Sequence, residues 1–250
     1  MRVTSYVLPV LPGKEGELQS LALELKSRST EYDEYRGRLG VTREAAFLQP
    51  TPQGSQLLMY REFDDSSAAS PKSEGGFELW LRDRMKDVHG FDPAAAPQPP
   101  VEMLVRQRPV RRGAIYIAAL PVLPNKTARL HEFASELNGI HAAEFEESLR
   151  RLGFGLTLLV QHAPQIDLTI SVVEGDEPVS ALGRLAMSQH PFDRWHLQQI
   201  SDQTGIDFTA PPPPPNEELW SWESGPVPAR TDSKGQSTTR STPSASGRSA

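Results

Sequence analysis

Tyr60-Arg61-Glu62 places a phenol and a carboxylate two residues apart in a run that reads as a β-strand. Alternation along a strand sends Tyr60 and Glu62 to one face and Arg61 to the other. If that first face borders a cavity, Glu62 can accept a proton and Tyr60 can orient a carbonyl or phenol, so the pair is the candidate catalytic site. Ordinary drift on a solvent-facing strand would leave the same residues. A second set is aromatic: Phe77 and Trp80, then Phe192 and Trp195, each pair three apart on an expected helix. Such pairs lie on one helix face and ordinarily pack on a sheet, and the functional alternative is the wall of a ligand cavity.

The six histidines are His89, His131, His141, His162, His190 and His196. None stands in a His-Glu-x-x-His pattern or another local ligand set, so no metal site is expected. His131 and His141 share a helical run but lie too far apart along it to share a metal. His162 ends a strand at the position expected to correspond to Gln49, where solvated surface is the expected state. Cysteine is absent, which excludes disulfides, thiolate nucleophiles and thiolate metal sites. Arg106, Arg108, Arg111 and Arg112 form a basic run best read as a solvated linker.

The formal net charge of -6 argues against nucleic acid or an anionic membrane as partner, because both demand a basic surface. No window approaches the ~18 apolar residues that span a bilayer. The N-terminus enters a strand-like segment without a signal-peptide pattern, so a cytoplasmic location is expected. A small molecule is the expected partner, with no cofactor.

The elements that would position these residues occur twice. Leu8-Pro9-Val10-Leu11-Pro12-Gly13-Lys14 returns as Leu120-Pro121-Val122-Leu123-Pro124-Asn125-Lys126 at an offset of 112. Arg38-Leu39-Gly40 returns as Arg151-Leu152-Gly153 at 113. Phe77, Trp80, Gly90 and Asp92 return as Phe192, Trp195, Gly205 and Asp207 at 115. The order is kept and the offset drifts little, as in an internal repeat. Proline-rich stretches at 93–100 and 211–215 punctuate the two copies. The predicted organisation is one unit over residues 1–108, a second over 109–224, and a disordered Ser/Thr/Pro-rich tail over 225–250. The insertion at 64–76 is expected to be a mobile loop that could serve as a lid.

Within each unit, an apolar strand leads through a Pro-containing turn into a helical run, and a glycine ends that run. Two strands with a short Pro/Gly linker follow, then a second helix, then a last extended segment. The pattern is β-α-β-β-α-β, a ferredoxin-like arrangement in the α+β class. One helical layer leaves the other face of each sheet bare, so two units in one chain should pack sheet to sheet.

This pattern resembles the dimeric α+β barrel superfamily, which includes the antibiotic-biosynthesis-type monooxygenases. The residues that carry the likeness are the strand-Pro12-Gly13-Lys14-helix opening, Arg38-Leu39-Gly40-Val41, the strand from Glu44 to Gln49, Tyr60-Arg61-Glu62 and the Phe77/Trp80 helix. The resemblance implies an intramolecular pseudo-dimeric α+β barrel, present as a monomer or a homodimer, with a small molecule held between a sheet and its helices. Enzymes of that superfamily include monooxygenases that act on aromatic polyketides or quinols without metal or flavin, haem-degrading members, isomerases and decarboxylases. Two function classes follow: a cofactor-independent monooxygenase- or isomerase-like enzyme, or a non-catalytic binding or oligomerisation module.

Overall fold

The computed structural model describes residues 2–64, 75–96, 99–109, 111–211 and 213–224. Most of the insertion at 64–76 and the whole of the tail at 225–250 lie outside the described residues.

The first half runs β1 (Arg2–Pro9), α1 (Glu15–Ser27), α2 (Ser29–Arg38), β2 (Val41–Thr51), β3 (Gly54–Phe63), α3 (Gly76–His89) and β4 (Val101–Gln107). The second runs β5 (Ala114–Pro121), α4 (Thr127–Asn138), α5 (Ala142–Leu152), β6 (Phe154–Gln161), β7 (Leu168–Gly175), α6 (Pro178–Ala186), α7 (Pro191–Thr204) and β8 (Glu217–Glu223). The long helical run expected after the first strand is two helices in each half, divided at Arg28 and at Gly139-Ile140-His141. Each second helix ends before a glycine with positive φ, Gly40 at 67° and Gly153 at 80°, where a side chain would be strained. The sequence reading missed α6, whose buried Ala181 and Leu185 join the second half's core.

Among the described residues, eight antiparallel strands form two sheets, in the orders β1-β3-β2-β8 and β4-β6-β7-β5. The fold is the expected α+β arrangement of two sheets packed face to face. The last strand of each half, however, does not stay with its own half. β4 lies beside β6 and β8 lies beside β2. The chain has thus crossed from one sheet to the other before each of these strands.

Three apolar layers result. One lies between the first sheet and α1–α3, with Leu18, Leu21, Leu57, Met59 and Phe77. A second lies between the other sheet and α4–α7, with Leu130, Phe133, Phe145, Leu156 and Phe192. The third joins the sheets through Val7, Phe47, Leu58, Ile117, Leu159 and Ile170. Strand alternation explains the split: Leu57 and Met59 face helices while Leu58 and Tyr60 face the opposite sheet.

The register corrects one correspondence. Pairing of β2 with β3 slips between Val41 and Arg43, so one residue bulges out of the ladder. Beyond it the halves align with Gln49 opposite Gln161 in role, not His162. Both glutamines cross the sheet interface: Gln49 bonds the backbone of Ala119 and Gln161 that of Val7.

Candidate ligand cavity

Tyr60 and Glu62 share a face, as alternation requires, but it is the face between the sheets. Both are buried there, and the Tyr60 hydroxyl donates to Glu62 at 2.7 Å. Arg112 reaches Glu62 at 2.9 Å and Arg106 at 3.5 Å. Two members of the basic run expected to be solvated are thus tied to the sheet interface. Burial, reinforced by Glu62, raises the pKa of Tyr60. The void beside Tyr60 holds ≈ 10 Å³, about one water.

The other face of the same strand borders a cavity of ≈ 870 Å³, between the first sheet and its helices. Its floor is Tyr6, Met59 and Arg61 from β1 and β3, and its wall includes Tyr35 and Arg36 from α2. Trp220 closes one side, and it belongs to β8, the strand supplied by the second half. Phe77, Trp80, Phe192 and Trp195 do not line it. Phe77 packs on Tyr32, Tyr35 and Trp80, with Arg28 over the Trp80 ring. Phe192 and Trp195 pack with Phe133, Phe145 and His141.

Beneath the floor, Glu44 is wholly buried and accepts bonds from four groups. These are Arg36 at 2.6 Å, Arg61 at 2.5 Å, the Trp220 indole N–H at 2.9 Å and the Tyr32 hydroxyl. Burial opposes ionisation of Glu44, yet the arginines and hydrogen bonds outweigh it and its pKa is lowered. Burial and the Glu44 charge hold Tyr32 protonated, as a donor. At the mouth, Arg38 pairs with Glu78 at 2.8 Å and Arg82 with Asp92 at 2.5 Å.

The floor therefore sets two guanidiniums against one carboxylate. Arg36 is 1% exposed, and its Nε and Nη1 have no hydrogen-bond partner. Buried charged donors left unpaired are costly and rare. The Arg36 guanidinium instead lies against the Tyr32 and Tyr35 rings, at 4.5 and 4.9 Å, and the floor keeps a surplus of positive charge.

The second half has no such chemistry at the corresponding positions. By helix position and sheet register, Tyr32, Arg36, Glu44 and Arg61 correspond to Phe145, Leu149, Leu156 and Val173, all buried in the second half's apolar core. Arg36 is unmarked in the sequence, Glu44 stands there only as part of a strand, and alternation places Arg61 only on the face away from Tyr60 and Glu62. The available signal was charge at positions that are apolar in the other half.

No family model and no curated protein matches the sequence. Among solved structures, the chain is similar to a Fusobacterium nucleatum protein named as a "putative monooxygenase". The two share 11% identity, with 90% of this chain and 95% of that one covered and a TM-score of 0.52. The likeness is one of fold.

Proposed function

We propose that this protein binds a small aromatic molecule carrying an acidic oxygen, a phenol or an enol, in the cavity over the first sheet. We further propose that it acts there as a monooxygenase without metal or flavin. The observation that carries the binding reading is the two-to-one excess of guanidinium over carboxylate in the cavity floor, where Arg61, 21% exposed, is the cation a ligand can reach. A cationic, desolvated floor favours the ionised ligand, because opposite charge lowers the pKa of an acid. An electron-rich phenolate or enolate is the form that reacts with dioxygen. The overall reaction converts a ring CH₂ to C=O, with one oxygen atom retained and the other released as water. The likeness to a protein named as a monooxygenase supports this chemistry in general terms.

A second reading, binding without turnover, draws on one observation. Each carboxylate at the cavity is tied to an arginine: Glu44 to Arg36 and Arg61, Glu78 to Arg38, and Asp92 to Arg82. None is free to act as a base, so ionisation must come from the cationic floor alone.

The test is a titration with anthrone and a naphthol, followed by quenching of tryptophan fluorescence, with oxygen uptake measured in parallel. Saturable binding lost in Arg61→Leu supports the site, and oxygen uptake with quinone formation supports the monooxygenase. Binding without uptake supports the second reading. Binding that survives loss of Arg61 excludes this cavity.

A further inference from the structure

Three residues distant in sequence meet at the edge of the second sheet: Glu102 on β4, His131 on α4 and His162 just after β6. One donor atom from each lies within 4.8 Å of the others. His131 Nε2 is 3.0 Å from Glu102 Oε2, and His162 Nε2 is 4.0 Å from the same oxygen. The two imidazoles lie nearly parallel, at 9° with centroids 6.4 Å apart.

What raises this above a surface cluster is the environment of the far ring nitrogens. His131 Nδ1 is 2.9 Å from the Thr127 carbonyl. His162 Nδ1 is 3.3 Å from the Asp167 carboxylate, which in turn accepts a bond from the Thr127 hydroxyl at 2.7 Å. A carbonyl and a carboxylate on the two Nδ1 atoms hold a proton on each, which turns both Nε2 atoms toward Glu102; in the metal-free protein His131 Nε2–H donates to that carboxylate, and a metal ion would take the place of this proton. Metal-binding histidines are held in this way, with the outer partner fixing tautomer and ring orientation.

We propose that Glu102, His131 and His162 form a site for a divalent late first-row metal, Zn²⁺ first among them. Two imidazoles and a carboxylate suit that class, and their donor atoms, within 4.8 Å of one another, would close in to ~2.0–2.2 Å from a common centre. Three protein ligands at a partly exposed site leave a fourth position for water. Sequence spacing could not disclose the set, because three separate elements supply it.

The site has a built-in comparison in the other half. Glu217 on β8 corresponds to Glu102 on β4, and Gln19 on α1 corresponds to His131. There the glutamine amide donates to both carboxylate oxygens, at 2.9 and 3.1 Å. Pro50 follows Gln49 where His162 follows Gln161. In both halves a residue of the first helix thus holds the carboxylate of a strand contributed by the other half, and only one of the two sites has metal ligands. A bound metal would fasten β4 to the second sheet through α4 and the end of β6.

The experiment is calorimetric titration of Zn²⁺ into the full chain after chelator treatment. One ion per chain is expected. His131→Gln and His162→Gln should each weaken binding by at least ~100-fold, and Asp167→Asn by ~10–100-fold through loss of the outer partner. His141→Gln should leave binding unchanged. Circular dichroism checks that each variant is folded, which partial exposure of all three ligands makes the expected result. Co²⁺ in place of Zn²⁺ should give visible absorption that disappears in His162→Gln. Absence of saturable binding, or one-to-one binding that persists in the folded His131→Gln and His162→Gln proteins, would overturn the proposal.

Discussion

The side-chain amide of Gln49 closes on the backbone of Ala119 from both ends, donating to its carbonyl at 2.7 Å and accepting its N–H at 2.9 Å. Ala119 lies on β5, an edge strand whose outer backbone groups would otherwise lack partners in the sheet interface. Gln161 does the same for Val7 on β1, an edge strand of the first sheet, at 3.3 and 2.8 Å. Each sheet thus finishes the hydrogen bonding of the other's edge.

Replacing Gln161 with Leu should leave the Val7 N–H and C=O buried and unpaired. The expected loss is about 1–3 kcal/mol per orphaned group, read by urea denaturation. Gln49→Leu should cost less, because Gln49 is only half-buried while Gln161 is 4% exposed. Equal costs would mean that the clasp is not what the glutamines contribute.

The charged floor of the cavity gives a second expectation. Arg36→Leu removes one partner of a buried ion pair and should cost about 3–5 kcal/mol. Adding Tyr32→Phe, Glu44→Leu and Arg61→Val installs the residue types found in the second half. Buried ion pairs are often replaced by apolar residues without net loss, so the quadruple variant should regain most of that stability while losing ligand binding. Denaturation midpoints and the fluorescence titration together check this.

These same residues show how much the sequence disclosed. The α+β class, the strand order of each half and the packing of sheet on sheet follow from periodicity and from the bare face that each sheet would otherwise expose, whereas the division of the first helical run and α6 do not. Alternation also separated Arg61 correctly from Tyr60 and Glu62. It could not say which face held the cavity, since that depends on how the helices are spaced over the sheet. Nor could local patterns show that β4 and β8 change places. Both candidate sites use a residue from an exchanged strand, Trp220 in one and Glu102 in the other, so neither could be assembled from neighbours in sequence. His162 was aligned with Gln49 because a bulge between Val41 and Arg43 leaves no mark in the sequence.

Acid should find the second core first. His196 is 5% exposed among Phe133, Phe145 and Phe192, and burial lowers its pKa to about 4, opposed only weakly by Asp193. A histidine neutral in the fold but ionised near its ordinary value of about 6.5 when unfolded favours the unfolded chain as pH drops. Its contribution is complete above pH ~6.5 and is lost progressively down to about 4. The difference is on the order of 3 kcal/mol. His89, also lowered by burial, acts in the same direction. Stability followed from pH 7 to 4 should fall more steeply in the wild type than in His196→Leu.

Two glycines should respond oppositely to alanine. A Cβ at Gly155 would sit 2.3 Å from the Pro109 nitrogen and 2.7 Å from the Gln107 carbonyl, where the chain leaves β4. Gly155→Ala should therefore cost at least about 1–3 kcal/mol, since the backbone has little room to yield. Gly37, inside α2, has nothing within 4 Å. Gly37→Ala should gain up to about 1 kcal/mol from helix propensity. Thermal melts of the two variants should bracket the wild type.

The crossing of β4 and β8 also sets the order in which the molecule can be completed during synthesis. When the first half has left the ribosome, its sheet has three strands, its β2 edge is open, and β4 has nothing to pair with until β6 appears. The first sheet must wait for Glu217–Glu223, the last strand of the second half. Since Trp220 closes one side of the cavity, the half synthesised earlier becomes able to hold a ligand only after the later half has followed it.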